Sequence, residues 1–300
     1  NLQDLTAALR RGEAEIGLGD VVLEVGAGIG VLTVALSRSA ATVHAVELDG
    51  TQLAPDVPTL AEILLRNGYH TAGFVSAPYL DAQYGFARGF ERYQCSMTID
   101  PASNVDLRAA LEQRGDSEEA IQSLLRQVAS HQDVTSRRVV ADARAALAEL
   151  DEHGDERPVF LFAHFYDPHY DYAPPPPYDA LFDPDYAGSI DGRGYWDNLA
   201  IYDASQSPAR RVSERDLEHV RALYRGEIAW VDEQVGRVLD ELRANGRLER
   251  TLIVVASDHG EEFFEHGLRG HKLTLYDVSL RVPLLIVLPQ ALRRSTPAAV

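Results

Sequence analysis

Three short clusters carry residue types that could act together. Ser257-Asp258-His259-Gly260 follows the apolar run Thr251-Leu252-Ile253-Val254-Val255-Ala256. A carboxylate oxygen and an imidazole nitrogen held at a rigid strand end form a natural pair of metal ligands, so Asp258 and His259 are metal candidates. Further on, Gly270-His271-Lys272 places an imidazole and an ammonium where they could neutralise an anionic group in transit. His164-Phe165-Tyr166-Asp167-Pro168-His169 closes the run Val159-Phe160-Leu161-Phe162-Ala163, and His169 leaves it into a proline-rich loop, placed to donate a proton to a leaving oxygen. Open α/β sheets bind ligands outside the carboxyl ends of their strands. Three polar clusters at such ends therefore point to one anion-handling site with His169, His271 and Lys272 as its catalytic groups.

A different chemistry is suggested near the start of the chain. Glu24-Val25-Gly26-Ala27-Gly28-Ile29-Gly30 sits between the apolar run Val21-Val22-Leu23-Glu24-Val25 and a helical stretch from Val31 to Ser37. Glycines in that position let the backbone approach a ligand at a helix N-terminus. Glu47 ends the following strand, Val43 to Leu48, where a carboxylate can accept both hydroxyls of a ribose. Glu24, Gly26, Gly28, Gly30 and Glu47 are thus candidates for cofactor binding. The spacing is G-x-G-x-G rather than the G-x-G-x-x-G of dinucleotide binders, and a tight turn that only packs a helix on a sheet is the alternative.

The elements that must position these groups read as α/β: a mainly parallel central sheet flanked by helices, with an N-terminal Rossmann-like β-α-β piece. Thr59 to Asn67 is helical and stops at Gly68; His70 to Ser76 is a strand. Residues 117–151 carry apolar positions at helical spacing. Residues 213–245 do so most clearly, with Leu217, Val220, Leu223, Ile228, Val231, Val235, Val238 and Leu242 on one face. Val282 to Leu288 is a further strand. Glu261, Glu262 and Glu265 read as a solvated acidic face, and His219 as a surface or packing residue. Lys plus Arg number 28 against 46 Asp plus Glu, a formal net charge of −18, which disfavours binding to nucleic acid. The single cysteine, Cys95, excludes an intrachain disulfide and a Cys-rich zinc site. No apolar run is long enough to span a membrane. The chain opens Asn1-Leu2-Gln3, with neither a Met nor a signal peptide, as a fragment or a processed end would, which leaves the compartment open with the cytoplasm as default.

Two resemblances refine these readings. Leu223-Tyr224-Arg225-Gly226-Glu227-Ile228-Ala229-Trp230-Val231-Asp232, then Ser257-Asp258-His259-Gly260-Glu261, then Arg281-Val282-Pro283-Leu284 resemble the sulfatases of the alkaline phosphatase superfamily. Pro158 to His164 with Asp167-Pro168-His169-Tyr170 is similar to the same family, as is Pro58 to Leu64 with Gly68 to Ala72. The similarity covers about residues 54–290. It implies an alkaline phosphatase/sulfatase-like fold and hydrolysis of a small-molecule or glycan sulfate ester. It also implies a divalent metal, calcium first, with manganese, magnesium or zinc as alternatives. By the resemblance Asp258 and His259 are the later metal ligands, His169 contacts the sulfate and the leaving oxygen, and Lys272 binds the sulfate. His271 is adjacent. In that family a formylglycine hydrate, made from Cys or Ser, attacks sulfur, and water then regenerates the aldehyde.

Asp20 to Thr33, followed by Ala45-Val46-Glu47-Leu48-Asp49, resembles the S-adenosylmethionine site of the ribosomal RNA adenine dimethyltransferases. That resemblance would place Glu24, Gly26 and Gly28 along the methionine side and Glu47 on the ribose. It ends near Leu53, and the later Asn-x-Pro-[Tyr/Phe] motif of that family is missing. The sulfatase pattern is also incomplete. Its first strand should end in one or two Asp ligands, followed by a Cys/Ser-x-Pro-x-Arg nucleophile, yet the glycine-turn segment stands there. Cys95 lacks the surrounding motif and reads as structural. The expected organisation is a partial Rossmann-like methyltransferase segment at 1–53, joined near Leu53-Ala54-Pro55 to a sulfatase-like domain at 54–300 that lacks its usual N-terminal part. The expected function is an impaired sulfuric ester hydrolase. The alternatives are an S-adenosylmethionine-dependent methyltransferase fragment and a non-catalytic fusion product.

Overall fold

A computed structural model of the chain describes the strand Val21–Val25, residues 58–77, 80–96, 136–192, 212–271 and 275–293, and single helical positions at 109, 112, 118 and 121. Its frame is a six-stranded sheet. The strands are β1 (Val21–Val25), β2 (His70–Val75), β3 (Arg92–Cys95), β4 (Val159–Ala163), β5 (Leu252–Ala256) and β8 (Leu284–Val287), in the order β3-β2-β4-β1-β5-β8. Neighbours run parallel except β5 and β8, which are antiparallel. A hairpin of β6 (Glu262–Phe263) and β7 (Arg269–Gly270) stands outside the sheet.

Strand alternation sends side chains to two faces, and each face is covered. Leu161 and Ala163 of β4, with Phe74 and Ile253, pack against α2 (Ser136–Glu152) and the C-terminal part of α3 (Glu214–Ala244) through Val139, Ala143, Leu147, Val238 and Leu242. Phe160 and Phe162 turn the other way, with Val75 and Val254, toward Leu60 and Ala61 of α1 (Leu60–Arg66). Every residue of β4 is buried, as its uninterrupted apolar run requires. Thr59 caps α1 through a reciprocal pair of bonds with Glu62, and Gly68 takes the positive φ that ends the element.

A third apolar cluster lies beneath the proline-rich segment. Tyr170, Tyr172, Ile190 and Phe263 pack on Leu217, Val220 and Leu223 of α3. It ties the loop after β4 to the hairpin, and so fixes the relation between two of the polar clusters. Gly226 lets that loop lie directly on α3, since a Cβ there would sit 2.4 Å from the Tyr178 carbonyl oxygen.

Among the described residues the sequence-derived elements recur with two corrections; of the helical stretch at 117–151 the part from Ser136 is described continuously. The buried stripe of α3 runs through Leu223, Glu227, Trp230, Gln234 and Val238, and Ile228 is exposed. The stripe is polar in its middle because that stretch backs the loop after β4. Glu261 and Glu262, read as solvated, have side chains only 5% and 1% exposed. Glu262 accepts the backbone N–H groups of His266 and Leu268 and so closes the turn of the hairpin. The helix at 31–37 and the strand at 43–48 lie outside the described residues. So does the junction near residues 53–55.

Candidate functional site

The loop after β4 and the loop after β5 converge on the hairpin. The His259 ring stacks on His271 at 3.8 Å between centroids, and His169 meets His271 edge-on at 5.4 Å. Tyr166 stacks on His169 at 4.1 Å, and Tyr170 lies 4.2 Å from His169 and 5.5 Å from His271. Asp258 Oδ2 is 3.6 Å from His259 Nε2. The structure therefore brings Asp258, His259, His169 and His271 together. Lys272, Gly26, Gly28, Gly30 and Glu47 lie outside the described residues, as does the side chain of Glu24, whose backbone is in β1.

The hydrogen bonds fix how the imidazoles face. His169 Nδ1 is 2.5 Å from the Tyr170 carbonyl oxygen, and His259 Nδ1 is 2.8 Å from that of Gly260. A carbonyl can only accept, so each Nδ1 carries a proton, and in the neutral ring Nε2 is the nitrogen with the lone pair. His271 Nδ1 lies 3.3 Å from both carboxylate oxygens of Glu261, which sets the same tautomer. Three rings thus present Nε2 as a base or a ligand. Asp258 is open to solvent on one side, yet desolvation by the surrounding protein raises its pKa above the usual carboxylate value, against the pull of His259.

The loop after β5 is shaped by a close approach. Gly260 donates its N–H to the Ser279 carbonyl, 2.8 Å away, and a Cβ on it would sit 2.0 Å from the Val278 carbonyl oxygen. Ser279 and Val278 belong to the short helix α4 (Asp277–Leu280). Glycine is required there because only it lets this backbone pass.

Behind His169 lies a group the sequence reading left unassigned. Glu227 of α3 is 2% exposed, and accepts the N–H of His169 at 3.1 Å and of Ala173 at 2.8 Å. Burial first, and then the neighbouring Asp167, push its pKa well above the ordinary carboxyl value. Asp167 in turn accepts the Ser136 hydroxyl at 2.6 Å. The signal was present in the sequence: a glutamate in phase with Leu223 and Trp230 on an apolar stripe. His164 was missed as well. It follows β4 directly, is 3% exposed, and among the described residues its Nδ1 has no hydrogen-bond partner.

A divalent metal is tested by these donors. Asp258 and His259 are the right types and close enough to share one ion. Among the described residues, however, no group of three or more His, Cys, Asp or Glu is placed to hold a metal. Two donors do not close a site.

The mainly parallel α/β sheet, with the Asp-His pair after β5 and His169 after β4 two strands away, has the sulfatase/alkaline phosphatase-like fold. The sulfatase family model matches residues 32–299, and the chain belongs to that family. The match begins inside the segment read as Rossmann-like. Arylsulfatase K of Bos taurus is 35% identical over 79 residues, which is 26% of this chain and 14% of that protein. The multifunctional alkaline phosphatase superfamily protein PehA of Trinickia caryophylli is 30% identical over 149 residues, 44% of this chain and 29% of PehA. Choline-sulfatase of Rhizobium meliloti (strain 1021) is 38% identical over 78 residues, 26% and 15% of the two chains. Among solved structures, the phosphonate monoester hydrolase of Agrobacterium radiobacter superposes with a TM-score of 0.52 at 22% identity, covering 79% of this chain and 54% of its own. A protein solved in complex with its substrate D-glucosamine-2-N,6-O-disulfate superposes with a TM-score of 0.54 at 15% identity, covering 95% and 66%. These likenesses show the fold. The matched region spans less than a third of these curated relatives, and about half to two thirds of these solved chains. Among the described residues no helix is long and apolar enough to cross a membrane.

Proposed function

We propose that this chain carries the core of a metal-assisted sulfuric ester hydrolase acting on a small-molecule or glycan sulfate ester, with turnover impaired by an incomplete nucleophile strand. The observation that supports it is the stacking of His259 on His271 with His169 edge-on beside them, which brings groups from two strand ends and the hairpin into mutual contact. In this reading His169 Nε2 stands by the leaving oxygen and donates to it once protonated. Lys272, and His271 once protonated, would offset the charge of the anionic oxygens, with Glu261 orienting the His271 ring. Asp258 and His259 would hold a divalent ion, calcium first, which when bound supplies positive charge to the ester oxygens. Held by two donors, the ion would exchange readily. Phosphate and phosphonate esters, which carry the same tetrahedral oxyanion, are the closest alternative substrates.

The test is hydrolysis of aryl sulfate and aryl phosphonate esters by the full chain with calcium, manganese, magnesium or zinc. Slow, metal-dependent turnover that disappears in Asp258→Ala supports the reading. No turnover with any of these metals would reduce the proposal to descent without activity. The second reading, S-adenosylmethionine binding through Glu24, Gly26, Gly28, Gly30 and Glu47 in a fused methyltransferase segment, is supported by the residue pattern at 20–49 alone. Calorimetry with that cofactor tests it, and an absence of heat at high concentration rejects it.

A further inference from the structure

We propose that Glu227 is the positioning residue of the site, stapling the loop that presents His169. The inference rests on the hydrolase reading above. Its basis is geometric. The two carboxyl oxygens of Glu227 take the N–H groups of His169 and Ala173, so one side chain grips both ends of the loop that carries His169 and Tyr170. The Tyr170 carbonyl, inside that loop, holds His169 Nδ1 and thereby sets which nitrogen faces outward. Glu227 reaches this place from α3 because Gly226 beside it admits the Tyr178 backbone. Tyr170 and Tyr172, both buried, complete the support by packing on the same helix.

Carboxyl chemistry suits the task better than the nearest amide. Both N–H groups need an acceptor, and a carboxyl can present an acceptor oxygen to each. A glutamine offers one acceptor oxygen and an NH2 group that would face the second N–H donor to donor. Glu227→Gln should therefore release one end of the loop and keep the other, and Glu227→Ala should release both. A carboxylate buried only to fill space would show no such difference.

The experiment follows backbone amide exchange and imidazole 15N signals of the full chain by NMR, with a titration of orthovanadate as the oxyanion probe. In Glu227→Gln one of the amides of His169 and Ala173 should exchange at least about tenfold faster, the factor for losing a hydrogen bond of roughly average strength. The amides of Leu161 and Val254 in the core should keep their rates. The His169 ring should pass from the single Nδ1–H form to a mixture of tautomers, and vanadate should bind about tenfold more weakly. In Glu227→Ala both amides should open. Unchanged exchange at both amides, or an unchanged His169 ring in a folded Glu227→Gln protein, overturns the proposal. If the unaltered chain binds no vanadate, the hydrolase reading fails, while the amide and ring data still decide the role of Glu227.

Discussion

Acid should destabilise this protein through one buried imidazole. His164 follows β4 directly, and its backbone is paired on both sides: its N–H donates to the Phe74 carbonyl at 2.9 Å and its carbonyl accepts the Ser76 hydroxyl at 3.0 Å. The ring is buried, and burial lowers its pKa from 6.5 to about 4. The unfolded chain therefore binds a proton at a higher pH than the folded one does. Stability is fully present above pH 6.5 and falls as pH drops from there toward 4, below which both states are protonated. At about 1.4 kcal/mol per pKa unit the full loss is about 3 kcal/mol, and about 2 kcal/mol of it is spent by about pH 5. Urea unfolding followed by circular dichroism at about pH 7.5, 6 and 5 measures this directly. His164→Leu removes the titrating group at similar volume, so its stability should fall less over the same range by about 2 kcal/mol. Equal losses in the two proteins would refute the reasoning.

Other perturbations follow from single contacts. Gly260→Ala forces a methyl against the Val278 carbonyl and should cost about 1–3 kcal/mol in urea unfolding, with lower anion affinity because the Asp258-His259 turn must shift. Thr59→Ala removes the cap of α1 and should cost about 1 kcal/mol, read as a lower thermal midpoint without change at the site. Ser136→Ala deletes a buried hydroxyl bond to Asp167 and should lower the urea midpoint by an amount equal to about 1–3 kcal/mol.

The strands were the most legible part of the fold. β4 and β5 are uninterrupted apolar runs, which only a sheet covered on both faces can bury. Asp258, His259 and His169 were found because they end those runs. The hairpin was less legible. Its strands are two residues each, too short for any period to register, and the burial of Glu262 follows from backbone N–H groups that sequence does not reveal. Glu227 was hidden by phase. Val231 and Val235 drew the apolar stripe one position away from the face that supports the loop, although both still pack at the margin of the core. The meeting of the three imidazoles was beyond reach, since it depends on where the hairpin places His271 relative to the loops after β4 and β5.

The place of β1 bears on the order in which the molecule assembles. Val22 pairs with Phe160 on one side and Leu252 on the other, so this early piece of chain can settle only after partners far downstream have been made. Long-range parallel pairing of this kind is slow. A refolding chain should therefore pass through a stage in which β2, β3 and β4 on one flank, and β5 and β8 on the other, are formed yet still separated by an open seam. Closing that seam is what brings the carboxyl ends of β4 and β5 to their final spacing, so the arrangement of the candidate site would be the last property the protein acquires.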